Sequence, residues 1–297
     1  MERIGKVIDT AFLGTDQQGH LTTLRKENRT CACGAEFIAH IKVVDGEDVL
    51  DGLTICGDCR AKADAAERRE KRLAQIPEAE RDQQGVWEEQ SNLPAKFANK
   101  TFGDFDRKLQ PQAYDAVKKY NHNWDGDDPP HSLILLSPDL YGVGKTHLVA
   151  ALLNKIIETD SKLFVNPDGS FRRKPCPVYF TVENTLLSRI RQTYNHKQGD
   201  DTETEEDIYK RLERYALLVI DDVGKVRPRD YSFLQGVYFR IIDDRYSNDM
   251  PIILTTNLSF TELENHIGGA SADRLREMCG DTNFIVMKGK SYRQKVE

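Results

Sequence analysis

The chain has 297 residues, 39% of them hydrophobic and 30% charged, with a formal net charge of −6 at pH 7. That length suits one sizeable core plus a small satellite domain, and no apolar run approaches a membrane span. No secretory signal opens the chain, so a reducing cytoplasm is expected and a membrane protein or secreted disulfide scaffold is not.

From the N-terminus, Cys31-x-Cys33-Gly34 and Cys56-Gly57-Asp58-Cys59 form two knuckles separated by 22 residues, and four of the six cysteines fall within 29 residues. Four thiolates suit tetrahedral Zn2+, and the glycine that follows a cysteine in each knuckle lets the backbone fold back so that N–H groups approach sulfur. Disulfides and four unrelated buried thiols are the competing readings, the first disfavoured in a chain without an export signal. His20 and His40 are spare ligands that a full set of cysteines leaves unneeded, and Cys176 and Cys279 read as structural. A module of about 60 residues is small enough for metal binding, worth roughly 10–16 kcal/mol in zinc-finger peptides, to decide whether it folds. Phe37 to Val44 is β-rich and leads into Asp45-Gly46, a turn signal, so a ribbon-like hairpin is expected between the knuckles.

Arg60 to Ile76 reads as a charged helix with a thin apolar face of Ala61, Ala65, Leu73 and Ile76, hence a solvated connector or, alternatively, a partner-binding helix. Pro77 and the polar stretch to Gln90 are expected to end it. The resulting domains are residues 1–62 as a zinc-binding module, 63–90 as a helical linker and 91–297 as the main domain.

Leu133-Ile134-Leu135-Leu136 is followed by Ser137 to His147, which places Gly142-Val143-Gly144-Lys145-Thr146 on a strand-to-helix turn. Side-chain-free Gly142 and Gly144 let consecutive backbone N–H groups, through Val143 and on to His147, face phosphate oxygens, and the following helix adds its N-terminal positive end. Lys145 supplies a full charge to the β- and γ-phosphates and Thr146 a hydroxyl for Mg2+. The motif expects glycine five residues before Gly144, where Asp139 stands. A second strand, Leu217-Leu218-Val219-Ile220, ends in Asp221-Asp222 and reads as a Walker B element. Asp221 would hold Mg2+ and Asp222 would orient or deprotonate the attacking water. A third, Pro251 to Asn257, ends on an amide that is either a sensor for that water or an ordinary turn residue. Between these strands, Asn166-Pro167-Asp168-Gly169 is a strong turn and Gly199 to Glu206 an acidic stretch. Basic clusters at Arg172-Arg173-Lys174, Lys225/Arg227/Arg229 and Lys288/Lys290/Arg293/Lys295 are either local nucleic-acid contacts or solvated faces, with Tyr231 and Phe233 beside the middle one as stacking candidates.

With these motifs the chain resembles the AAA+ helicase loaders of the DnaC and DnaI type and the related transposition ATPase IstB. The matching stretches are Leu93 to Phe97, Thr101 to Phe105, the phosphate loop, Leu218 to Gly224, Arg245 to Leu258, Asp273-Arg274-Leu275 and the late Ser291-Tyr292-Arg293, about two-thirds of the chain. The resemblance implies an α/β AAA+ P-loop core with a five-stranded parallel sheet and no helical lid, only 23 residues following Arg274. It implies that Arg274 acts as an arginine finger in a neighbouring subunit's site, with Arg276 its rival and a surface network of Asp273, Arg274, Arg276 and Glu277 the alternative. It also implies self-assembly, single-stranded DNA and a replicative hexameric helicase as partners, and a zinc module that docks the helicase, although direct nucleic-acid contact by that module stays open. Most AAA+ ATPases carry glutamate where Asp222 stands, so slow hydrolysis stimulated by assembly or DNA is expected. IstB-like transposition-target selection and a non-hydrolysing adaptor are the other readings. Tail residues such as Arg293 would replace lid sensors.

Overall fold

The computed structural model describes residues 7–15, 21–49, 55–124, 131–194, 203–289 and 291–292. His20, Gly199 to Thr202, Lys290, Arg293 and Lys295, named above, lie outside the described residues. The chain forms two compact units, Met1–Ile76 with Val165–Phe171, and Pro77–Phe164 with Arg172–Glu297.

In the first unit, β1 (Val7–Thr15), β2 (Leu21–Thr30), β3 (Glu36–Val44) and β4 (Glu47–Val49) make an antiparallel meander in chain order. The hairpin expected after Phe37 is β3–β4. Its two-residue turn, Asp45 at φ 51° and Gly46 at φ 86°, has the left-handed pair that matches strand twist. Along β3, Ala39, Ile41 and Val43 are buried while Ile38, His40 and Lys42 face out, the period of two expected of a half-covered strand. His40 is thus a surface residue. The strands β1 and β2 carry no comparable signal and were not expected.

The helix α1 (Gly57–Gln90) corrects the reading of Pro77, because it runs through that proline to Gln90. A proline inside a helix costs about 3 kcal/mol through its missing N–H and a ring clash. Tertiary anchoring offsets this. Ala79, Gln83 and Trp87 are buried, Gln83 donates to Ser161 O at 2.9 Å and accepts from Lys174 N–H at 3.0 Å, and the Trp87 indole donates to Lys174 O at 3.1 Å. The half of α1 after Pro77 is therefore part of the second unit's core. Past its end, Ser91 O accepts from Phe180 N–H and Asn92 donates to Phe180 O, both at 2.8 Å.

The second unit continues with α2 (Pro111–His122), β5 (Leu133–Leu136) and α3 (Lys145–Asp160), then the hairpin β6 (Phe164–Val165) and β7 (Phe171–Arg172). The tip of that hairpin, with Gly169 at φ 80°, belongs to the first unit, where Arg69 donates to Pro167 O at 2.9 Å and Arg72 pairs with Asp168 at 3.0 Å. Next come β8 (Val178–Val182), α4 (Glu183–Thr193), α5 (Glu205–Glu213), β9 (Leu217–Val223) and α6 (Ser232–Ser247). The chain then forms β10 (Ile252–Thr256), α7 (Phe260–Ile267), α8 (Gly269–Cys279) and β11 (Phe284–Val286). Among the described residues no helix follows β11.

The five strands are parallel in the order β11-β5-β10-β9-β8. Both faces are covered, which explains the unbroken apolar runs. Ile134, Leu136, Leu218, Ile220, Ile252 and Leu254 join one cluster with α4 to α8. Leu133, Leu135, Leu217, Val219 and Ile253 join the other with α2, α3 and Trp87. Thr256 lies opposite Leu136, and Val182 opposite Asp221, so the strand ends and the turns after them meet at one edge.

Trp87→Ala should lower stability to guanidinium unfolding by about 3–5 kcal/mol, the usual cost of emptying a buried tryptophan site. An unchanged midpoint would mean that this half of α1 is not core.

Candidate functional site

At the carboxyl edge of the sheet, the turn after β5 has Asp139 at φ 56°, Gly142 at φ 73° and Gly144 at φ 102°. Asp139 thus adopts the left-handed backbone that the motif's glycine supplies, a conformation aspartate tolerates better than most side chains, and its N–H donates to Asn257 O at 3.1 Å. At Gly144 only glycine fits: a Cβ there would lie 2.6 Å from Cε2 of Phe105.

Lys145 opens α3 and is buried. Its ammonium donates to Asn257 Oδ1 at 2.5 Å and to the Ser137 hydroxyl. Thr146 Oγ1 lies 3.0 Å from both oxygens of Asp221. Asp221 also accepts from Thr255 Oγ1 at 2.5 Å, and that same hydroxyl accepts from Asp222 N–H at 3.0 Å. The residues expected to bind phosphate and Mg2+ therefore meet, and Asn257 reaches them from the neighbouring strand. Val143 packs into the core and His147 against Phe105, ring centroids 5.3 Å apart, so any role of either at the phosphates belongs to backbone amides.

Burial pushes the Asp221 carboxyl up to about 6. The Thr255 hydrogen bond opposes that shift, the nearby Asp222 charge adds to it, and Thr146 and Lys145 oppose it. Asp222 has a left-handed backbone at φ 62°, its side chain is part-exposed, and Oδ2 is paired with the Lys225 ammonium. Behind it lies Glu183, fully buried. Its Oε2 accepts from Gly224 N–H at 2.9 Å and Val226 N–H at 3.3 Å, while Oε1 accepts from Tyr238 OH at 2.8 Å and lies 2.7 Å from His266 Nε2.

Arg274 is not at this site within its own chain. It lies on α8, paired with Asp243 of α6 at 2.9 Å, its guanidinium 4.9 Å from the Phe239 ring centre and 5.9 Å from that of Tyr246. The rival Arg276 lies over Phe260 at 4.5 Å.

Sequence reasoning missed several contributors. Ser137 and Thr255 hold Lys145 and Asp221, and the doubled threonine at the end of an apolar strand was the available signal. Tyr292 donates its N–H to Gly142 O at 2.8 Å and its hydroxyl to Asp106 O at 2.8 Å, and its ring lies 5.2 Å from that of Phe105, so Tyr292 ties the phosphate loop to the segment before α2. Only the long-range fold shows that contact.

In the first unit the four sulfurs of Cys31, Cys33, Cys56 and Cys59 lie within 4.8 Å of one another. A tetrahedral ion with Zn–S of about 2.3 Å needs sulfurs about 3.8 Å apart, so the donor set fits Zn2+. The first knuckle turns at Gly34, φ 91°, as expected. The second does not use a glycine fold-back: Gly57 begins α1, which places Cys59 in the helix's first turn. Backbone hydrogen bonds from Cys33 and Cys56 bring Cys31 down to about 6, while sulfur–sulfur hydrogen bonds push Cys59 up to about 12.

Compared with known proteins, residues 65–297 match the family model of IstB-like ATP binding proteins. The phage-like element PBSX protein XkdC of Bacillus subtilis strain 168 is 26% identical over 208 residues, 68% of this chain and 70% of that protein. The insertion sequence IS21 putative ATP-binding protein of Pseudomonas aeruginosa is 26% identical over 201 residues, 66% and 65% of the two chains. The crystal structure of the DnaC helicase loader superposes with a TM-score of 0.50 at 23% identity, over 66% of this chain and 100% of that one, a likeness of fold.

The raised Asp221 value has a testable sign. An acid whose pKa is raised by folding favours the folded state at low pH, and that contribution is lost as pH rises through the folded value. Between roughly pH 4 and pH 6 the nucleotide-free protein should lose on the order of 3 kcal/mol from this group. Asp221→Asn should therefore gain thermal stability relative to the parent across that window and keep the gain above it. A difference in Tm that does not vary with pH would show that burial does not set the charge of Asp221.

Proposed function

Since the chain belongs to the IstB-like ATP-binding protein family, we propose that it is an ATPase that loads a replicative hexameric helicase onto single-stranded DNA. The observation that carries the ATPase reading is the meeting of Lys145, Thr146, Asp221 and Asn257 at one edge of the sheet. In use, the amides from Gly142 to His147 would take the phosphates, with Lys145 turning from Asn257 and Ser137 toward the β- and γ-oxygens. Thr146 and Asp221 would hold Mg2+, which when bound neutralises phosphate charge. Asp222 and Asn257 would orient the attacking water. Arg274 would serve the site of an adjoining copy, which makes self-assembly a condition of turnover.

The cysteine module ahead of the core favours a loader, since a separate docking unit suits a protein that must grip a second machine. We assign Zn2+ to its four sulfurs and the helicase to its surface, in the cytoplasm of a bacterium or of a phage host. The similarity to the IS21 protein supports a second reading, selection of transposition targets on duplex DNA with a transposase partner.

Lys145→Ala should abolish ATP binding measured by calorimetry, while Asp222→Asn should bind ATP yet hydrolyse it on the order of 10²-fold more slowly, the usual loss for a general-base or polarising group. Equal hydrolysis by Asp222→Asn and the parent would remove that role. A pull-down with ATP from the native cytoplasm should recover a hexameric helicase; recovery of a transposase instead would favour the second reading. Cys56→Ser should lose the zinc found by elemental analysis together with the hydrogen-exchange protection of β2 and β3. Full protection without zinc would make the cysteines incidental to folding.

A further inference from the structure

Asp222, the last residue but one of β9, has one carboxylate oxygen held by Lys225, three residues further on. Lys225 is also the first of three cations, Lys225, Arg227 and Arg229, each exposed, which alternate with part-buried Val226 and Pro228. The first part of the loop beneath them is fixed. Glu183 accepts from the N–H groups of Gly224 and Val226, and Val226 packs against the core. Three side chains of one sign are thus turned to solvent from an anchored backbone.

Just beyond the cations, at the start of α6, the Phe233 ring carries the Arg191 guanidinium at 4.8 Å and meets the edge of Tyr194 at 6.0 Å. Tyr194 is 59% exposed. Cations followed by an exposed ring, Tyr194, and a part-buried one, Phe233, that carries a further guanidinium are what a single strand of nucleic acid engages, its phosphates on the charges and a base on the open ring. An acidic protein would use the cations but leave the rings without a purpose.

We infer that Lys225 is a positioning residue that restrains Asp222 while the loop is empty, and that phosphates of single-stranded nucleic acid on Lys225, Arg227 and Arg229 draw its ammonium away and release the carboxylate. This rests on Asp222 as the group that orients the attacking water. The ammonium competes with that water for Oδ2. With side-chain exposures of 56% and 26%, the pair is of the weak, screened kind, which a phosphate can displace. Release leaves the backbone of Asp222 in place, because its N–H stays on Thr255 Oγ1. Nucleic acid thereby reaches the chemistry through one side chain, without a domain movement.

The test is steady-state ATP hydrolysis by the full chain, with and without oligothymidylate. Lys225→Ala should raise the DNA-free kcat roughly two- to five-fold, the size of an exposed ion pair, with KM for ATP unchanged, and should respond little to DNA. Lys225→Arg should restore the low basal rate and the stimulation. The double change Arg227→Ala with Arg229→Ala should raise the DNA concentration needed for half-maximal stimulation. A fall in kcat for Lys225→Ala, or a basal rate and stimulation equal to the parent's, overturns the restraint. Equal stimulation of the parent by polyglutamate overturns nucleic acid as the partner. Asp222→Asn with parental hydrolysis, or a parent that hydrolyses no ATP in either condition, overturns the role of Asp222 itself and is thereby told apart from a failure at Lys225.

Discussion

Asp221 is a carboxylate taken out of water near the end of a buried strand and then tied to two hydroxyls, Thr146 in the first turn of α3 and Thr255 on the neighbouring β10. A buried ion is costly unless its lone pairs are met, and an acid that burial lifts to about 6 is a charge the fold only just sustains. That tension suits a metal ligand. A divalent cation held by Thr146 and Asp221 would offset that penalty. Parallel strand order makes the arrangement obligatory, since β5, β9 and β10 are adjacent and their turns have nowhere else to go.

Two buried polar hubs hold the surroundings rigid. Glu183 gathers the loop after β9, α6 and α7 onto one carboxylate. Arg245, only 1% exposed, donates to the carbonyls of Leu212, Tyr215, Ala216 and Pro251, and burial brings it down to about 10. Its planar fork of donors matches several carbonyls at once, which lysine cannot do. The first hub fixes the carboxyl edge of the sheet and the second the amino edge of β9 and β10. Between them the strands cannot slide, and the meeting of Lys145 with Asn257 depends on register.

What could be read from the chain is what local chemistry decides. Leu133 to Leu136, Leu217 to Ile220 and Ile252 to Leu254 have the continuous apolar character of strands covered on both faces. The glycines before Lys145 mark a turn, and Asp45-Gly46 could be seen as a hairpin. What could not be read depends on partners distant in sequence. Pro77 breaks a helix by every local rule, yet α1 continues because Trp87 and Gln83 find burial more than seventy residues away. Asp139 reads as a flaw in the phosphate loop until its left-handed backbone shows how it serves in glycine's place. Lys225 is the instructive case: its spacing from Asp222 was visible, but as part of a basic cluster it looked like a solvated face, and only the ion pair ties it to the site.

Arg274 is the group that the chain cannot bring to its own pocket. Its guanidinium is occupied by Asp243 and by the faces of Phe239 and Tyr246, and Phe239 stays 43% exposed beside it. On the proposed reading this patch of α6 and α8 is the surface presented to the next copy. The partner triphosphate must then compete with Asp243 for one cation. An exposed carboxylate is a weak holder, whereas several phosphate oxygens in a desolvated cleft are a strong one, so the exchange favours the assembled state only when the neighbour's site is filled. Assembly and nucleotide occupancy are then coupled by the same logic as Asp222 and Lys225: a side chain is held loosely within the chain until a stronger anion is offered.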